Sequence, residues 1–150
     1  MVRLLVPFAF ILLLVQSGCA TGPVYQEYAA SAVPPTSGRG RVYIYRPSAL
    51  PLGDTGIPVH VNDVLVEHWP PPRSFLVVDL PAGEVRVRIY SGEEVFSLWS
   101  GETRYVRISA SMGYGATNLH LELVDAGLAG SELEGLRLVG EVTGGPDPFR

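Results

Sequence analysis

Residues 83–90 read GEVRVRIY, a strict alternation of apolar and polar side chains, and this period of two most limits the fold. A backbone that sends successive side chains to opposite faces is a β-strand. Val85, Val87 and Ile89 are therefore expected to face inward, and Arg86, Arg88 and Tyr90 outward. The pattern recurs in short segments along the chain. In RVYIYRP (41–47) Val42 and Ile44 oppose Tyr43 and Tyr45, and Pro47 ends the strand. In PVHVNDVLVE (58–67) Val59 and Val61 flank His60, and Asn62-Asp63 suits a tight turn because both residues tolerate left-handed backbone angles. RSFLVVDL (73–80) is a continuous apolar run, as in a central strand, and Pro81-Ala82-Gly83 turns the chain. EEVFSLW (93–99) and TRYVRISA (103–110) form a further pair around Ser100-Gly101. TNLHLELV (117–124) closes the series with Leu119, Leu121 and Leu123 inward and His120 and Glu122 outward.

About seven short strands joined by Gly/Pro turns predict an all-β fold, a small antiparallel β-sandwich. One short C-terminal helix is expected near Ser131, where Ser131-x-x-Glu134 matches a capping box and Leu133 and Leu136 can dock. The strands place the domain at 41–139, followed by a disordered tail over 140–150. The 150 residues suffice for one such core.

The amino-terminal residues have a different character. Met1–Arg3 is a short positive stretch, and Leu4–Val15 is an apolar run of about 12 residues, the size of a signal-peptide core. A permanent span needs roughly 20. Ser17-Gly18 then lead to Cys19, the single cysteine of the chain. One cysteine excludes an internal disulfide and leaves an intermolecular bridge or a modified thiol. Residues 20–40, ATGPVYQEYAASAVPPTSGRG, have no helical or strand period and read as a linker that would span on the order of 25 Å. Tyr25 and Tyr28 are expected to be solvated or at a membrane interface.

Ser17-Gly18-Cys19 resembles the lipobox of bacterial lipoproteins, although Gln16 stands where an aliphatic residue is usual. The resemblance implies a signal peptide over 1–18 and a covalent lipid on Cys19, with no other cofactor. It also implies a flexible tether over 19–40. Ala20, where an Asp would favour inner-membrane retention, implies an outer-membrane lipoprotein facing the periplasm. The rival reading is cleavage by ordinary signal peptidase and a soluble periplasmic product. The YIYRP segment, the VNDVLV hairpin, Leu80-Pro81-Ala82-Gly83-Glu84 and Ser131-Glu132-Leu133 resemble a family of small bacterial lipoproteins built on a domain of unknown function. The LPAGE-plus-strand unit is also similar to PEGA-type surface domains. Neither resemblance supplies catalytic residues.

Charge and residue chemistry narrow the function. The net charge of −4 disfavours nucleic acid, whose backbone requires a concentrated basic surface. All basic residues are Arg. The three histidines, His60, His68 and His120, lie at outward strand positions and in a loop, outside any nucleophile signature. A metal site would need three or four converging ligands, and His60 and His120 meet only if their strands are neighbours. No metal site is expected. Glu93-Glu94 and Asp79 with Glu84 read as solvated charge, and Gly113-Tyr114-Gly115 reads as a turn. The candidate binding surface comprises Tyr43, Tyr45, Trp69, Arg86, Arg88 and Arg107, with the alternative that Tyr43, Tyr45 and Tyr90 close a second packed layer. The arginines suit bidentate contacts to anionic groups, or else pair across strands with nearby glutamates. Trp69-Pro70-Pro71-Pro72 is an extended segment headed by an aromatic. The leading expectation is a non-catalytic, membrane-anchored interaction module of the cell envelope that contacts protein or glycan. The alternatives are an accessory subunit of an envelope assembly and, last, an envelope hydrolase.

Overall fold

Asn62 and Asp63 both adopt positive φ, 46° and 65°, which turns β2 (Val59–Val61) directly into β3 (Val64–Glu67). Such angles match the twist of a two-residue hairpin, and Asn and Asp tolerate them at low cost. The computed structural model describes residues 22–48, 57–68, 70–90, 92–114 and 116–143. The signal segment, Cys19 and Trp69 lie outside these residues.

Within them the chain is mostly β, in two sheets with two helices. The first sheet runs in the order β8 (Ala116–Val124), β7 (Thr103–Gly113), β1 (Arg39–Arg46), β4 (Ser74–Pro81), β9 (Arg137–Val142). The second runs β3, β2, β5 (Gly83–Arg88), β6 (Glu93–Leu98). Val42, Ile44, Leu76 and Val106 from the first sheet share one apolar cluster with Val61, Val85, Val87 and Leu98 from the second. The sheets thus pack face to face, and the alternation read at 83–90 holds: Val85, Val87 and Ile89 are buried, Arg86 and Arg88 exposed.

The first sheet is covered on its other face too. Tyr43, Tyr45, Phe75 and Val77 form a second cluster with Tyr28 of α1 (Tyr25–Ser31) and Ala129 and Leu133 of α2 (Ala126–Leu133). A strand buried on both faces has no polar side to show, so β4 reads as an apolar run from Phe75 to Val78. Tyr43 packs edge-on to Tyr25 at 5.7 Å and stacks on Tyr105 at 5.4 Å. Such pairs contribute about 0.5–1.5 kcal/mol beyond area burial.

Several expectations are corrected. The described residues hold nine strands, not about seven, and the first sheet is mixed: β1 runs parallel to β7, and β4 parallel to β9. The segments 93–99 and 103–110 do not pair with each other. The turn at Ser100-Gly101 carries the chain from one sheet to the other, where β7 pairs with β1 and β8. The C-terminal helix starts earlier than Ser131. Asp125 is its cap, accepting from the Gly127 and Leu128 amides, while the Ser131 hydroxyl bonds back to the Leu128 carbonyl.

The expected tether is folded from Gly22 onward. Val24 bridges to Arg137, the Tyr25 amide donates to the Leu136 carbonyl at 2.9 Å, and Tyr28 is buried. Apolar surface on Tyr43 and Phe75 draws α1 down, an attraction no local pattern in YQEYAAS reveals. Gly140–Val142, expected in a disordered tail, belong to β9, and the rest of that expected tail from 144 on lies outside the described residues. No helix among the described residues is long and apolar enough to cross a membrane.

Candidate functional site

Arg41 and Asp79 face each other across the β1–β4 pair, at the ends of two otherwise apolar runs. Their parity follows from the strand period: Arg41 lies on the face of Tyr43 and Tyr45, and Asp79 on that of Phe75 and Val77. Arg41 donates from Nε to Asp79 Oδ1 at 2.7 Å and from Nη2 to Oδ2 at 2.9 Å. The side chains are only 8% and 6% exposed. This bidentate bond to Asp79 holds the Arg41 guanidinium well above its ordinary range, against the opposing effect of burial.

The pair forms part of the lining of a cleft of about 540 Å³ between the segment after α1 and the β1–β4–β9 region. Arg39 adds a donor to the Asp79 carbonyl at 2.5 Å. The Tyr28 hydroxyl donates to Glu141 Oε1 at 2.8 Å, and Thr143 donates to the same oxygen at 3.0 Å. Burial and the bond to Glu141 push the Tyr28 phenol up. Val33, Pro34 and Leu138 supply apolar wall. The volume lies within the range of small-molecule sites, about 300–1,000 Å³, and the lining mixes apolar walls with fixed polar groups.

The residues named from sequence do not converge. Tyr43 and Tyr45 are 5% and 0% exposed beneath the helices, so they offer no surface. The Tyr45 hydroxyl donates to Glu132 of α2 at 2.6 Å, and burial raises its phenol. Arg107 lies on the helix side of the first sheet, clamped by Glu122 at 2.5 Å and Glu132 at 2.6 Å. The bond to Glu122 leads in holding its guanidinium above the ordinary range. Arg86 and Arg88 point from the opposite side of the molecule, off the outer face of the second sheet, near Glu93 and Asp63 at 3.8 and 3.2 Å. Pro70 is buried, its carbonyl accepting from Arg46 at 2.9 Å, so the proline segment is pinned to the body.

His60 and His120 fall on different sheets. The described residues hold no group of three or more His, Cys, Asp or Glu able to hold a metal ion. His120 Nε2 lies 2.7 Å from Ser111 Oγ, both residues exposed on neighbouring strands, and no carboxylate among the described residues orients its other nitrogen. Sequence reasoning missed Arg41, Asp79, Tyr28 and Glu141. The available signal was the single charge closing each of two apolar strands, Arg41 before VYIY and Asp79 after FLVV.

No protein-family model, curated protein or solved structure matches the chain. The likeness to small lipoproteins and PEGA-type domains therefore rests on the motif residues that suggested it.

Proposed function

We propose that the protein is an exported lipoprotein, acylated on Cys19 and held at the outer membrane facing the periplasm. Its sandwich domain is a non-catalytic module that binds a hydroxyl-rich polar ligand, such as an envelope glycan, in the cleft. The observation that carries this reading is the Arg41–Asp79 pair, nearly buried yet lining an open cleft. A buried ion pair contributes little net stability, because desolvation offsets most of its attraction. It does present donors and acceptors in fixed positions, with Arg39 and Glu141 beside it. A site carrying both signs of charge suits a neutral ligand that both donates and accepts.

The test is saturation-transfer NMR with soluble cell-wall muropeptides and lipopolysaccharide-core oligosaccharides. Wild type should bind one of these classes, and Thr36→Trp, which fills the exposed rim, should abolish binding at unchanged melting temperature. Binding that survives Thr36→Trp, or no binding at all, would refute the cleft as the site.

A second reading, an accessory subunit of an envelope assembly, is favoured by the outer face of the four-stranded sheet. Both helices pack on the other sheet, and here Val95 is 44% exposed and Leu65 38% exposed. A photocrosslinker at Val95 capturing one protein in stoichiometric yield would support that role over ligand binding.

A further inference from the structure

Among the described residues two arginines stand apart. Arg41, Arg86, Arg88, Arg104 and Arg107 each pair with a carboxylate, and Arg39 and Arg46, which donate to backbone carbonyls, are half-buried and buried. Arg73 and Arg137 are exposed, and among the described residues neither meets a carboxylate. They are neighbours: the Arg137 amide donates to the Arg73 carbonyl at 3.1 Å. Both lie where the chain departs toward Cys19, because Arg137 Nη1 donates to the Gly22 carbonyl at 3.1 Å. Glu134, exposed in the adjoining turn, offsets part of this charge. Arg73 also sits at φ 57°, a backbone angle that glycine would adopt at less cost.

Chain length makes the location consequential. Only Ala20 and Thr21 separate Cys19 from Gly22. At full extension that step spans at most about 11 Å. A domain anchored through Cys19 therefore cannot float clear of the headgroups. The part nearest the bilayer is then the turn before β4, which carries Arg73, together with the start of β9, which carries Arg137.

We propose that the domain docks edge-on against the bilayer, with Arg73 and Arg137 contacting the phosphates of anionic lipid headgroups. This rests on the acylation of Cys19 proposed above. Guanidinium groups form bidentate contacts with phosphate, and short confinement raises the local concentration of the lipid partner. The cleft and the outer face of the second sheet then keep fixed attitudes to the membrane instead of tumbling.

The test uses full-length protein purified in acylated form and reconstituted in vesicles of phosphatidylethanolamine with phosphatidylglycerol. Acylation is checked first by incorporation of labelled fatty acid. With the native thiol acylated, a fluorophore can be placed at Glu134→Cys, beside the arginines, or at Ser97→Cys, on the outer face of the second sheet. Nitroxide-headgroup lipid should quench the first label much more than the second. Arg73→Gly should lower the ratio of docked to undocked protein about fivefold, and high salt should act in the same direction. Because this substitution relieves a left-handed residue, its melting temperature should hold or rise, which separates lost docking from lost folding. Equal quenching of both labels on acylated protein, or an unchanged difference in Arg73→Gly, would overturn edge-on docking alone. Wild type that takes up no fatty acid would overturn the anchor and this inference with it.

Discussion

Truncating Asp79 leaves the Arg41 guanidinium in a site where its side chain is 8% exposed, and an uncompensated charge there is costly. Asp79→Ala is expected to lower unfolding free energy by about 3–5 kcal/mol in urea titrations. Arg41→Met combined with Asp79→Leu should recover most of that loss. A cost below about 1 kcal/mol for the single change would mean that the pair is solvated. The tyrosines of the helix-side cluster act through pH. Burial pushes the Tyr25 phenol up to about 12, and burial likewise raises those of Tyr28, Tyr43 and Tyr45. An unfolded tyrosine ionises near about 10. Above that pH the unfolded chain sheds protons that the folded chain retains, so stability is full below it and falls as pH rises further. Melting temperature followed into alkali should drop, and less steeply in Tyr45→Phe. Individual residues were legible where one face is solvated, as at Val85 and Arg86. At Tyr43 and Tyr45 the pattern left a binding face and a second packed layer equally open, because alternation shows that a strand has two faces but not that both are covered.

At the scale of elements, the start of α2 separates two readings of the same sequence. Asp125→Ala removes the acceptor of two amides and should cost about 0.5–2 kcal/mol, whereas Ser131→Ala, within the helix, should change little. Thermal melts of both variants decide the matter. In the β2–β3 hairpin, Asp63→Gly removes a non-glycine residue from φ 65° but also the exposed contact to Arg88 at 3.2 Å. The first effect outweighs an exposed ion pair, so a net gain of about 0.5 kcal/mol is expected in chemical denaturation. Most strands and this hairpin could be read from local pattern, since period and turn chemistry are local. The sheet switch at Ser100-Gly101 could not. Turn residues announce a change of direction and leave the next partner to long-range pairing, here Arg41–Tyr45 beside Thr103–Arg107. Helix α1 was invisible for a related reason, as its stability comes from the aromatic surface beneath it.

For the whole molecule, the folded body reaches back beyond Arg41 to include α1 and the Val24 bridge. A chain beginning at Gly22 should unfold cooperatively. One beginning at Arg39 loses Tyr28 and exposes Phe75, 5.7 Å away between ring centres, and should be less stable by at least about 3 kcal/mol, read from paired urea curves. The bridge between Val24 and Arg137 has a further consequence in time. A ribosome makes the first of these residues long before the second, so the backbone bonds that fasten Val24 and Tyr25 to Leu136 and Arg137 cannot form until β9 has been synthesised. Any enzyme that must reach the leading end of the polypeptide can work on it during that interval, before β9 closes the latch.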